Sequence, residues 1–121
     1  MDFLKTITEA TSQLDAGWRN EQGLPSFPIL SHGSLLVKVY APRGSDPQTP
    51  HTRDEIYVVA RGHGEFVCGD TRKYFGETDL LFVPAGVTHR FENFSNDLTV
   101  WVVFYGPEGG EQPASGRHKY S

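Results

Sequence analysis

The sequence predicts an all-β domain with one short helix in front of it, and three observations carry that prediction. From Ser26 onward, apolar runs rich in Val, Ile, Phe and Tyr follow one another at short intervals. Gly, Pro, Asp or Asn separates each run from the next, which is the chemistry of turns. Only the segment before Gly17 has helical periodicity, so strands and helices do not alternate as a parallel sheet would require. An antiparallel sandwich or barrel is the architecture these features allow.

The helix rests on Phe3, Ile7, Ala10 and Leu14, which recur at intervals of three and four with polar residues between them and Gly17 just beyond as a stop. It is expected to pack on the outside of the domain. The strands are expected over residues 28–31, 34–41, 55–61, 64–68, 71–75, 79–83, 88–93 and 98–105, with Gly69-Asp70 as a hairpin tip. Gly62, Gly86 and Asn93 read as turn residues that supply a backbone conformation rather than a reactive group. This divides the chain into a helix and lead-in (1–25), one barrel (26–106) and a Gly- and Pro-rich tail (107–121) expected to be flexible, mobile or pinned against a partner. His118 lies in that tail and reads as solvated.

A chain of 121 residues fits one core and leaves too little for two. Its 37% hydrophobic content is enough to fill that core, which argues against wholesale disorder. The net charge of -4, with basic residues scattered rather than striped, gives no footprint for nucleic acid. Cys68 is the only cysteine, so no intramolecular disulfide forms and a reducing compartment is the simpler reading. The opening MDFLKTITEATSQLDAG lacks the basic-then-apolar layout of a signal peptide, and no window approaches the roughly 18 apolar residues of a membrane span. A cytoplasmic protein is expected. Asn93-Phe94-Ser95 matches a glycosylation sequon but reads as structural in that setting.

His51 and Glu55 carry the chemistry. They are four residues apart, an even separation that puts both side chains on one face if the segment is extended, with Tyr57 and Val59 continuing that face. The stretch PAGVTHRFEN then delivers His89 from a turn into another strand. Two imidazoles and one carboxylate form a facial set that leaves coordination positions open, and the same set suits catalytic zinc. The competing reading is a surface His–Glu ion pair.

The context favours the metal. The stretch PHTRDEIYVVARGHGEF, followed by TDLLFVPAGVTHRFEN, resembles the two sequence motifs of the cupin superfamily. In the first motif a His-x-His pair precedes a Glu and a Gly, and His51, Glu55 and Gly62 fall at the spacings of the second His, the Glu and the Gly. The second motif, Pro-x-Gly-x-x-His-x-x-x-Asn, is met in full by Pro84, Gly86, His89 and Asn93. The resemblance implies a single cupin-type antiparallel β-barrel, a jelly-roll-like double-stranded β-helix, holding one divalent ion (Fe, Mn, Zn or Ni) on His51, Glu55 and His89. It also implies a homodimer.

Thr49 stands where the first histidine of the pair belongs. Gln48, through its amide oxygen, is the nearest candidate for the fourth ligand, and Asp46 is a charged alternative. Both are odd distances from His51 and would point away from it in a regular strand, but Pro47 and Pro50 make a regular strand improbable there, and a bulge would turn Gln48 inward.

Tyr40, Tyr57, Phe82, Phe91 and Trp101 are candidates for the wall of a substrate pocket, against the competing reading of plain core. Arg43, Arg53 and Arg90 are candidates for the rim, His63 reads as an exposed turn and His32 as surface. The function these features predict is a metal-dependent enzyme acting on a small organic molecule, of dioxygenase, isomerase or lyase type, with Glu55 either on the metal or acting as a base. The alternative is a non-catalytic cupin that binds a small ligand such as a sugar and keeps a structural or vestigial metal site. Barrels of this family host both kinds.

Overall fold

The computed structural model describes residues 3–112, so His118 and the last part of the predicted tail lie outside the described residues. The helix, α1 (Ile7–Asp15), begins at Thr6, whose hydroxyl accepts a hydrogen bond from Glu9 N at 3.1 Å, an N-terminal cap of Thr-x-x-Glu type. Phe3 therefore falls outside the helix and is exposed, while Ala10 and Leu14 are buried. At the other end Gly17 takes φ 100°, so that Gly17 N reaches Leu14 O and Trp18 N reaches Gln13 O. That pair of bonds is a Schellman stop, which the left-handed glycine permits.

Eight strands follow: β1 (Ser26–His32), β2 (Leu35–Tyr40), β3 (Asp54–Arg61), β4 (Gly64–Cys68), β5 (Thr71–Phe75), β6 (Leu80–Val83), β7 (His89–Glu92) and β8 (Thr99–Tyr105). They form two antiparallel sheets, one of five strands in the order β1-β2-β8-β3-β6 and one of three in the order β5-β4-β7. Each predicted run lies on one of these strands. The β4–β5 hairpin closes through Cys68 and Thr71 around Gly69, at φ 57°, as the Gly-Asp tip requires.

Alternation along the strands puts one apolar row inside. Tyr40, Tyr57, Val59, Val83, Val100, Val102 and Phe104 of the large sheet meet Phe66, Phe75 and Phe91 of the small one in a single core. On the outside, α1 covers one corner of the large sheet, where Ala10 and Leu14 pack against Val39 and Ala41 with Trp101 beside them. The chain after β8 stays on the domain: Gly109 N donates to Thr52 O at 2.7 Å and Glu111 N to Asp54 Oδ2 at 2.8 Å. No helix among the described residues is long and apolar enough to cross a membrane.

Two glycines are fixed by close approach. A Cβ at Gly62, which has φ 92°, would lie 2.8 Å from Leu98 Cα, and one at Gly64 would lie 2.8 Å from Phe94 Cα. Gly33, at φ 59°, has open space around it. Gly62→Ala is expected to cost more than about 2 kcal/mol, because backbone must move and the residue must hold a left-handed conformation, whereas Gly33→Ala is expected to cost only about 1 kcal/mol. Urea unfolding midpoints of the two variants check the difference.

Candidate metal centre

The two motif segments are stitched together by backbone bonds. Gly86 N donates to His51 O at 2.7 Å and Ala85 N donates to Asp54 Oδ1 at 2.9 Å, which ties the turn before β7 to the start of β3. Gly86 has φ 80° in that turn. Glu55 points inward from β3, with Tyr57 and Val59 on the same face as expected, and His89 is the first residue of β7. His51 differs from expectation: it precedes β3, in an irregular segment that runs from Ala41 to Arg53. Strand parity is therefore not what brings it beside Glu55; the loop does, with Pro47 and Pro50 keeping that stretch off the sheet ladder.

The three predicted ligands converge. One donor atom from each of His51, Glu55 and His89 lies within 4.8 Å of the other two. His89 Nε2 stands 3.2 Å from Glu55 Oε1, and His51 Nε2 stands 3.8 Å from the same oxygen. Glu55 and His89 are fully buried, while His51 is partly open to the cavity. His89 Nδ1 lies 2.9 Å from Val87 O, and since a carbonyl can only accept, Nδ1 carries a proton. In the neutral ring the lone pair of Nε2 then faces Glu55, the arrangement that orients a metal-binding imidazole.

The centre is rich in acceptors and poor in donors. Glu55 Oε1 is buried without a hydrogen-bond partner among the described residues. Tyr57 OH lies 3.1 Å from His89 Nε2 and 3.0 Å from Gln48 Oε1, and it has one proton to give. Burial and the Glu55 charge hold the Tyr57 phenol well above its ordinary value, so that proton stays on. Burial also works against charge on both imidazoles. It holds His51 below the usual histidine value, whereas at His89 the Glu55 carboxylate and the Val87 carbonyl outweigh it and raise the pKa. A buried carboxylate surrounded by lone pairs is costly unless a cation joins it, and the donor set of two nitrogens and a carboxylate oxygen fits a divalent ion.

Gln48 points inward. Its amide oxygen lies 3.2 Å from His51 Nε2, and its amide nitrogen donates to Asp46 Oδ2 at 2.7 Å, which fixes which end of the amide faces the centre. Asp46 is a support rather than a member of the group. Its carboxylate also accepts from Tyr40 OH at 2.5 Å and from Phe91 N at 2.8 Å, so the alternative reading of Asp46 as a ligand gives way to one in which it aims its neighbour. Burial and the Asp46 bond push the Tyr40 phenol far up, which keeps it a donor.

A cavity of about 540 Å³ opens onto the group. Tyr40, Tyr57, Gln48, His51 and Glu55 line it, and Leu24, Leu36, Val102 and Phe104 supply its apolar wall. The other proposed wall residues lie elsewhere. Phe91 packs between Tyr57, Phe66 and Phe75 in the core behind the centre. Phe82 faces outward from β6 and is 49% exposed, and Trp101 packs on the helix side of the sheet, so both are corrected: neither meets the cavity. Arg43 and Arg90 are engaged away from it, with the Leu98 carbonyl and with Glu92 respectively. Arg53 reaches its rim. His32 and His63 are exposed, as expected. Lys38, which lines the cavity from β2, is the residue the sequence reading missed. Its signal was a charge between Leu36 and Tyr40, on the face of a strand that is otherwise apolar.

Residues 36–105 match the family described as "Cupin domain", and the chain belongs to that family. An uncharacterized protein of Streptomyces coelicolor is 41% identical over 82 residues, covering 66% of this chain and 78% of that one. Among solved structures, the DMSP lyase DddQ of Ruegeria pomeroyi superposes with a TM-score of 0.59 at 26% identity over 67% of this chain. This chain spans about half of that lyase, 46% of its length. A Cupin 2 conserved barrel domain protein of Salinispora arenicola gives a TM-score of 0.61 at 21% identity, covering 76% of this chain and 83% of that one, a likeness of fold.

Imidazole ligation has a pH signature. A proton and a metal ion compete for each ring nitrogen, and His89, raised above its ordinary value, is the last of the two histidines to release its proton as pH rises. Zn(II) affinity is therefore expected to climb with pH through the ordinary histidine value of about 6.5 and beyond it. Competition titrations of metal-free protein across that range check this, and a flat profile would count against both imidazoles as ligands.

Proposed function

We propose that this cupin is a metal-dependent enzyme acting on a small organic molecule, with His51, Glu55, His89 and Gln48 as the protein ligands. The observation that carries the reading is the buried, donorless Glu55 oxygen at the meeting point of two imidazoles and an amide oxygen, at the floor of an open cavity. A divalent ion bound there supplies Lewis acidity to the oxygens of a substrate. Everything else falls to the chain itself. Tyr57, protonated across the neutral range, offers its hydroxyl to a substrate oxygen. Once detached from the ion, Glu55 is the group able to take a proton from a substrate carbon or hydroxyl in the dry interior. Leu36, Val102 and Phe104 exclude water from the reacting end.

Proton abstraction by a carboxylate with the product anion held beside it is the chemistry of lyases and isomerases, so these come ahead of the dioxygenase reading. The DMSP lyase at 26% identity supports the same order, and it does so from a chain about twice this length. A neutral amide in place of an imidazole is a weaker donor and leaves the ion more acidic, which also suits non-redox chemistry.

The reading extends to assembly and location. Leu80, at 63% exposure, and Phe82 stand on the outer face of the large sheet beside their cross-strand partners Val58 and Ile56, an apolar surface that suits a homodimer. Cys68, unpaired, suits a reducing cytoplasm. Sedimentation of the untagged protein is expected to give twice the 13.5 kDa chain mass, and Phe82→Glu to shift it toward the monomer.

Elemental analysis of protein purified without an affinity tag tests the premise, and about one equivalent of a divalent transition metal per chain is expected. His89→Ala is expected to abolish tight binding, while Gln48→Ala is expected to weaken it by about ten-fold, roughly 1.4 kcal/mol, and Gln48→His to restore it. Wild-type metal content in His89→Ala would remove the centre as drawn. Metal binding without turnover of any small hydroxy or keto compound would move the protein to the binding-module alternative.

A further inference from the structure

Lys38 is a cation on the inner face of a barrel strand. In β2 the inward positions are Leu36, Lys38 and Tyr40, while Val37 and Val39 face the other way, so the lysine interrupts a row that is otherwise hydrophobic and aromatic. The cross-strand register is Lys38 beside Val102 and Val102 beside Tyr57, which places lysine and tyrosine in one row across the cavity wall. Adjacent strands lie about 4.8 Å apart, so this row spans about 10 Å. The next row runs Leu36, Phe104, Glu55. Phe104 connects the two ends: Lys38 Nζ is 5.8 Å from its ring centre and the His51 ring centre is 5.0 Å from the same point. The ammonium nitrogen therefore lies within their sum, 10.8 Å, of the His51 ring centre.

No carboxylate among the described residues forms an ion pair with Lys38. The other cation at the rim is committed: Arg53 donates to the carbonyl oxygens of Ser34 and Gly106, tying the start of β2 to the end of β8. The two carboxylates nearest the cavity floor are occupied as well, Asp46 by three donors and Glu55 by the candidate metal group.

We propose that Lys38 anchors a carboxylate at the far end of the ligand, so that the molecule this cavity takes is a small organic acid whose other end reaches the His51–Glu55–His89 group. The inference rests on the metal reading above. It names the class of substrate: an acid with an oxygen-bearing group at one end and a carboxylate a few carbons away, short enough for the distance between Phe104's two neighbours. A single ammonium suits a carboxylate monoanion, since a phosphate dianion calls for several donors and the wall offers one free cation among the described residues.

The test uses the full chain loaded with Zn(II) and a matched set of probes: malonate, succinate, glutarate and adipate against butyrate, with binding measured by titration calorimetry. One dicarboxylate of the series is expected to bind more tightly than butyrate. Lys38→Met keeps the apolar stem over Phe104 and removes the charge. It is expected to weaken that dicarboxylate by about ten-fold or more while leaving butyrate unchanged, and Lys38→Arg to retain most of the affinity. A lysine that merely covers Phe104 with its stem would lose nothing on this replacement. The Zn(II) affinity of Lys38→Met, measured first, is expected to equal or exceed that of wild type because one positive charge near the ion is gone. If wild type takes up no Zn(II), the metal reading fails and this inference with it. If Zn(II) binds but no dicarboxylate surpasses butyrate, or Lys38→Met binds them all as wild type does, the anchor alone is overturned.

Discussion

One buried oxygen atom organises this molecule. Among the described residues, Glu55 Oε1 is the one buried side-chain oxygen without a hydrogen-bond partner. Leaving a carboxylate in that condition costs several kcal/mol unless a hydrogen-bond donor, a proton or a nearby positive charge offsets it. The neighbours explain the choice of place. His89 presents a lone pair rather than a proton when neutral, because Val87 O takes the proton on the other side of the ring. Its raised pKa reports the same electrostatic demand: without an ion, a proton on Nε2 supplies the charge that Glu55 lacks. His51, lowered by burial, makes the opposite choice and stays neutral. The centre thus lacks one positive charge, which a proton on His89 or a divalent ion would supply.

The loop from Ala41 to Arg53 is the second constraint, and Asp46 governs it. A buried aspartate is tolerable when its lone pairs are used, and here a phenol, a side-chain amide and a backbone N–H use them. Through Phe91 N the loop is fastened to β7, the strand that also carries His89, and through His51 O it is fastened to the turn preceding that strand. Gln48 is turned by the first of these anchors. An amide whose nitrogen is spent on Asp46 has only its oxygen left to face His51 and Tyr57. Gln48 thus presents a neutral oxygen, held in a set orientation, beside His51, while Thr49 is exposed.

Much of this was legible in the residues. The strands from Ser26 onward could be read because turn residues bracket each run, and the hairpin at Gly69 because only a few residue pairs tolerate its backbone. Glu55, Tyr57 and Val59 could be assigned to one face because Glu55 gave an absolute reference within β3. No such reference exists in β6 or β8. Leu80 to Val83 and Thr99 to Tyr105 are apolar at almost every position, so periodicity does not say which half faces inward, and register with distant strands decides it. That is why Phe82 and Trp101 were placed on the wrong side. Gln48 turns inward as Pro47 and Pro50 lead one to expect, and His51 joins Glu55 from that same irregular segment rather than through strand parity. Asp46 was invisible as a support because its three donors come from residues 40, 48 and 91, which only the fold brings together.

Lys38 follows from the same electrostatics. A divalent ion held by the proposed set of His51, His89, Gln48 and the Glu55 carboxylate would keep net positive charge, and an ammonium across Val102 would add to it rather than compensate it. Two such positive centres facing one cavity would repel each other and attract an anion that can touch both. In a medium of low dielectric constant that repulsion would be larger than at the surface, a cost that a bound anion would relieve. An inward lysine at this place is hard to account for as packing alone, since Leu or Met would cover Phe104 equally well and add no charge. The cost becomes intelligible when the ligand returns it, supplying through one small acid the negative charge that neither Asp46 nor Glu55 has to spare.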